Sequence, residues 1–189
     1  VTLLSRLSDL APVCFVNGNH EMCVERHQPE RYQKFMDDLK NGGVQVLHNE
    51  TAWFWIDGEK VAVTGYELPW EYYRRFSRRH PSVVGMERSI GKRKQDAYQI
   101  LLTHNPVFFE EYAAWGADFT FAGHLHGGFI RLPYFGGVIS PQFQLFPKYD
   151  HGLYQMDTSS MVVGAGMGNH SGLFRINNPT EIVTVRIKR

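Results

Sequence analysis

Cysteine is scarce in this chain. Only Cys14 and Cys23 occur in 189 residues, and Cys14 lies in an apolar run, so the sequence does not read as a disulfide framework. A reducing, cytoplasmic compartment is expected. Charge of one sign is also lacking. Twenty basic and 19 acidic residues leave a formal charge of +1, too little for a strong global pull on nucleic acid or membrane. No specific nucleic-acid binding is expected. There is no run of about 18 apolar residues and no signal peptide. The chain opens on Val1, so an upstream segment is an open expectation, and any membrane association would run through it. No repeat, low-complexity tract or interdomain linker appears, while 43% of residues are hydrophobic and 14% aromatic. That composition supports one folded domain, 1–189, with a proper core.

One arrangement occurs three times: a short apolar run followed at once by a polar loop bearing histidine. Val13–Val16 leads into NGNHE with His20, Ile100–Thr103 into HNP with His104, and Phe119–Ala122 into GHLHGG with His124 and His126. Helical periodicity covers Glu30–Lys40, closed by Asn41-Gly42-Gly43, and Val107–Trp115, closed by Gly116. Strands are expected at Val44–Leu47, Ala52–Ile56, Val61–Thr64, Gly152–Met156, Met161–Val163 and Ile182–Ile187, with Asp57-Gly58 turning the second into the third. Strands alternating with helices imply an α/β sheet whose ligand sites lie outside the carboxyl ends of its strands. The three histidine loops could then converge. The later chain, nearly all strand and turn, implies a second sheet.

Each loop also has a plain structural reading. In GHLHGG, residues two apart on an extended segment face one side, and imidazole is the commonest metal ligand; a Gly-rich surface turn is the alternative. In NGNHE, Asn19 offers an amide oxygen and His20 a donor, or the stretch is an Asx-type turn. Asn105-Pro106 is an ordinary loop start, and a lone histidine before it is more often structural.

GNHE, then a strand ending in THNP, then GHLHGG followed by IRLP, in that order, resemble the calcineurin-like metallophosphoesterase superfamily. Within it they resemble the bacterial membrane-associated phosphohydrolase branch. GLYQMD, VVGAGMGN and FRINNPTEIVTV extend the likeness towards the C-terminus. The resemblance implies a four-layer αββα sandwich, two mixed sheets flanked by helices. It also implies two divalent metal ions, of manganese, iron or zinc, and a metal-bridging hydroxide that attacks a phosphomonoester or phosphodiester, a lipid-linked one included. By similarity, Asn19, His104 and His124 bind the second metal and His126 the first. His20 is then a catalytic donor to the phosphoryl oxygen or leaving group, and Glu21 supports its loop. Arg131 would contact phosphate, or only finish a hairpin.

The family's Asp-x-His and Gly-Asp-x-x-Asp motifs are absent from the sequence; the early Asp9 lacks their context. The chain therefore resembles the C-terminal part of such a domain, without its N-terminal strands, and alone would be a weak or inactive catalyst. The competing expectation is a non-catalytic domain whose histidine loops hold one ion. His27, His48, His80, His151 and His170 match no motif and read as surface or hydrogen-bonded. The Arg-rich, aromatic Trp70–His80 reads as a solvated helix or loop, with peripheral membrane contact as the alternative.

Overall fold

The computed structural model describes residues 1–74, 79–128, 131–132, 136–138, 145–168 and 176–187. Helix α1 (Thr2–Ser8) leads to strand β1 (Cys14–Phe15), then helices α2 (Asn19–His27) and α3 (Pro29–Asn41). One residue separates the helices. Gln28 precedes a proline, whose ring disfavours the helical region for its neighbour, and it sits at φ −143°, ψ 62°. Pro29 then opens α3 at the position where a missing N–H costs nothing. Strand β2 (Gln45–Val46) pairs parallel to β1.

Strands β3 (Thr51–Ile56) and β4 (Glu59–Tyr66) form the expected hairpin. Asp57 and Gly58 both have positive φ, 50° and 82°, as a tight two-residue turn requires. After a 3-10 turn at Trp70–Tyr73 come α4 (Val83–Ile90), β5 (Tyr98–Thr103), α5 (Phe109–Trp115) and β6 (Phe119–Ala122). The small hairpin β7 (Arg131–Leu132) and β8 (Gly136–Gly137) follows, then β9 (Gly152–Met156) and β10 (Ser159–Val163).

The large sheet has the order β3-β4-β5-β6-β10-β9. Its four central strands are parallel and its two edges antiparallel. Alternation along β5 explains the layers. Leu101 faces Met86, Ile90, Tyr112 and Trp115 of α4 and α5, while Tyr98, Ile100 and Leu102 pack with Cys14, Leu47, Val61 and Val63 on the other side. Beyond β1 and β2, a third cluster joins Phe15 and Val46 to Tyr32, Met36 and Leu39 of α3. The order is thus helices, large sheet, small sheet, helices. Each large apolar side chain withdrawn from water in these clusters stabilises by roughly 1.5–3 kcal/mol.

Three expectations need correction. NGNHE is not a loop throughout, because α2 begins at Asn19. The stretch Val107–Trp115 is divided into a 3-10 turn, Pro106–Phe108, and α5; the Asn105 side-chain oxygen accepts the Val107 N–H at 3.1 Å and holds the tight turn. The alternating run Ile182–Ile187 forms no strand, since no described strand pairs with it. Instead Val183–Ile187 border an open groove with Tyr98, Phe119 and Val162, and Ile182 is 79% exposed. The small sheet accordingly has two strands among the described residues.

Candidate active site

Parallel pairing brings two histidines to one sheet edge. Leu102 of β5 is level with Phe121 of β6, and the Gly123 N–H donates to the His104 carbonyl at 3.1 Å, one step beyond the ladder. His104 and His124 therefore leave adjacent strand ends together. Their ring centroids lie 5.0 Å apart with planes at 64°. From the small sheet, Asn19 at the start of α2 brings its Oδ1 to 3.1 Å from His124 Nδ1. Atoms that each sit about 2.1 Å from one ion are separated by roughly 3–3.5 Å.

His104 is half-buried, with its Nε2 atom fully enclosed. Its Nε2 finds no hydrogen-bond partner among the described residues. Burial, followed by the nearby His126 and His20, holds its pKa down from 6.5 to about 4, so at neutral pH the ring is in the neutral form that coordinates metals. Backbone packs directly against it: a β-carbon on Gly18 would stand 2.9 Å from the imidazole, a space only glycine leaves. Two imidazoles, one with an orphaned nitrogen, and an amide oxygen fit a divalent ion that accepts mixed nitrogen and oxygen donors. Among the described residues, no group of three or more His, Cys, Asp or Glu is arranged to hold a metal ion. The Asn19 amide oxygen is the third donor that the described residues bring to the two imidazoles.

The GHLHGG loop departs from the expected extended geometry. His124 and His126 both adopt positive φ, 60° and 50°, followed by Gly127 and Gly128 at 69° and 83°. Between the histidines, Leu125 is fully buried. Its N–H donates to the Gly123 carbonyl at 2.6 Å, and the Gly128 N–H to the Leu125 carbonyl at 2.7 Å. A left-handed conformation is costly for residues other than glycine, and burial of the Leu125 side chain offsets that cost.

His20, the second residue of α2, is exposed at the same edge. Glu21 turns back to cap the helix, accepting the Gly18 N–H at 2.9 Å through Oε2. Arg131 does belong to a hairpin, with Nη1 3.7 Å from Asp150 Oδ2. Of the remaining histidines, His48 meets Glu67 at 2.9 Å, His80 meets Glu111 at 2.7 Å and His151 meets Glu181 at 2.8 Å. His27 ends α2, exposed, and His170 lies outside the described residues.

Sequence reading missed two residues here. Tyr73, from the segment read as a solvated helix or loop, is buried with its ring edge-on to His124 at 5.2 Å, and burial raises its phenol pKa. Its 3-10 turn places it there, while Arg79 and His80 further along stay exposed and residues 75–78 lie outside the described set. Asn178, 4% exposed, donates through Nδ2 to the carbonyls of His126 and Gly128. The Asn-Asn-Pro stretch containing it was a visible polar signal in an apolar C-terminal region. No described helix is long and apolar enough to cross a membrane.

Known proteins resemble this chain in sequence. The uncharacterized protein YpbG of Bacillus subtilis is 30% identical over 129 residues, covering 66% of this chain and 42% of that protein. The phosphodiesterase YaeI of Escherichia coli is 24% identical over 185 residues, 98% of this chain and 62% of that protein. The UDP-2,3-diacylglucosamine pyrophosphatase LpxG of Chlamydia trachomatis is 25% identical over 158 residues, 78% and 43% respectively. The chain thus spans about two-fifths to three-fifths of the length of these relatives. No solved structure gives a significant match. The family model for calcineurin-like phosphoesterases matches residues 1–128, more than half of the sequence, and the chain belongs to that family.

Proposed function

We propose that this chain carries the histidine half of a metal-dependent phosphoester hydrolase. Asn19, His104 and His124 hold one divalent ion, His126 contributes to a second, and His20 acts on the substrate. The observation that carries the reading is the His104–His124–Asn19 cluster, in which the buried His104 Nε2 has no hydrogen-bond partner among the described residues. When bound, the ions supply positive charge that activates water near neutral pH and neutralises phosphoryl oxygens.

The chain's own groups do the rest. Asn19 and His20 open α2, where the positive end of the helix dipole favours an anionic phosphoryl group. From that position His20 donates a hydrogen bond as charge develops on a phosphoryl or leaving-group oxygen. Tyr73 walls the cluster, excluding water from one side of the imidazoles and keeping them desolvated. The substrate is a phosphomonoester or phosphodiester. The relatives named phosphodiesterase and pyrophosphatase support that class, and the latter's diacylglucosamine-bearing substrate supports a lipid-linked one at a membrane surface.

The test is hydrolysis of nitrophenyl phosphate and of bis-nitrophenyl phosphate by the purified chain with manganese, iron or zinc, with metal content measured on the same sample. Metal-dependent turnover that is lost in His20→Ala supports the reading. A single bound ion without turnover is the competing outcome; that result would make the chain a metal-binding domain.

A further inference from the structure

We propose that Asn178 is a positioning residue for the metal-binding loop, acting from outside the family's histidine motifs; the inference rests on the metal-site reading above. His126 and Gly128 flank Gly127, and their carbonyls would diverge in a loop with five consecutive left-handed or buried residues were nothing holding them. One amide answers both. The Asn178 Nδ2 group donates one N–H to the His126 carbonyl and the other to the Gly128 carbonyl, the latter at 2.8 Å. The fit is close enough that a β-carbon on Gly127 would stand 2.9 Å from Asn178 Oδ1. Backbone carbonyls so deeply placed need partners, and losing both donors at once leaves two acceptors unsatisfied.

Asn178 can set the loop because its own segment is fixed on both sides. Two residues before it, the Ile176 carbonyl accepts the Arg131 N–H at 3.1 Å. Three residues after it, Glu181 accepts the Ala165 N–H at 2.7 Å through Oε1 and meets His151 through Oε2. The clamp therefore links the C-terminal segment to the turn that carries His124 and His126. Through that turn, Asn178 governs the direction in which both imidazoles leave the backbone.

The test compares the full chain with Asn178→Asp, Asn178→Ala and Ser159→Ala. Aspartate matches asparagine in shape but replaces both donors with a carboxylate facing two carbonyls. Ser159 donates to the Ala117 carbonyl at 2.6 Å at the far end of β10, so its loss weakens the fold away from the loop. Measured by titration calorimetry with manganese, affinity should fall about 10–100-fold in both Asn178 variants, the range seen for residues that orient metal ligands, and stay unchanged in Ser159→Ala. In the metal-free chain, the imidazole nitrogen shifts of His124 and His126 should move in both Asn178 variants only.

Wild-type affinity in Asn178→Asp would show that Asn178 merely fills space and would overturn the proposal. So would equal affinity losses in Ser159→Ala and Asn178→Ala at matched loss of melting temperature. If the wild-type chain binds no metal, the metal-site reading fails, and the imidazole shifts alone decide: unmoved shifts in both Asn178 variants overturn the clamp.

Discussion

Two histidines of the site, His20 and His124, have opposite expected phenotypes. His124 faces Asn19 across 3.1 Å and His104 across 5.0 Å between ring centroids, so its ring is a ligand in the proposed centre. His124→Ala should lower metal affinity by about a hundredfold or more, beyond the usual loss for an outer-shell partner. Elemental analysis after dialysis checks this, and full metal content would refute it. His20 sits at the exposed start of α2, where it can reach substrate without coordinating. His20→Ala should retain metal while kcat falls on the order of a hundredfold, with a smaller change in KM if the contact tightens in the transition state. Unchanged kcat at full metal content would leave His20 without a catalytic role.

At the scale of elements, the site depends on how α2 meets the strand ends. Gly18 is both the residue before the helix and the floor under His104. A methyl group placed 2.9 Å from the ring must displace either His104 or the helix start, so Gly18→Ala should destabilise the chain by about 1–3 kcal/mol and weaken metal binding with it. Urea denaturation with and without manganese separates the two effects. Glu21 makes a different contribution. Its carboxylate closes the first turn by taking the Gly18 N–H, and Glu21→Ala should cost about 0.5–2 kcal/mol while both imidazoles stay in place. A loss of metal affinity in Glu21→Ala greater than that in Gly18→Ala would contradict this division of roles.

For the whole molecule, the proposed ligands come from three strand ends separated by as many as 105 residues between Asn19 and His124. Binding one ion ties the small sheet and α2 to the large sheet. The unfolded chain cannot assemble that set, so manganese at about a hundred times its dissociation constant should stabilise the fold by roughly 2.7 kcal/mol. Thermal unfolding with manganese and then with chelator should show the shift and its reversal. His124→Ala should show neither; a shift of equal size in that variant would place the ion elsewhere.

Much of this is legible in the sequence alone. Short apolar runs of three to five residues marked every strand but β7 and β8, because burial on a sheet demands β-branched and aromatic side chains and turns demand Gly, Asn and Asp. The Asp57-Gly58 hairpin and the glycine stops after α3 and α5 followed from local backbone preference alone. GNHE, THNP and GHLHGG identified the family through residue types whose chemistry is independent of their surroundings. The helix starting inside NGNHE was not legible, since glycine and asparagine ahead of it are equally good turn residues and only the Glu21 back-bond decides between them. Alternation in Ile182–Ile187 suggested a strand, but a strand exists only with a neighbour, and pairing is a property of the fold. The same holds at the site. The sequence determined which groups can bind metal and phosphate, whereas the level pairing of β5 with β6, the desolvation of His104, the wall at Tyr73 and the Asn178 clamp are decided in the tertiary structure. Distance, burial and shared hydrogen bonds arise between segments far apart in the chain, where no local pattern records them.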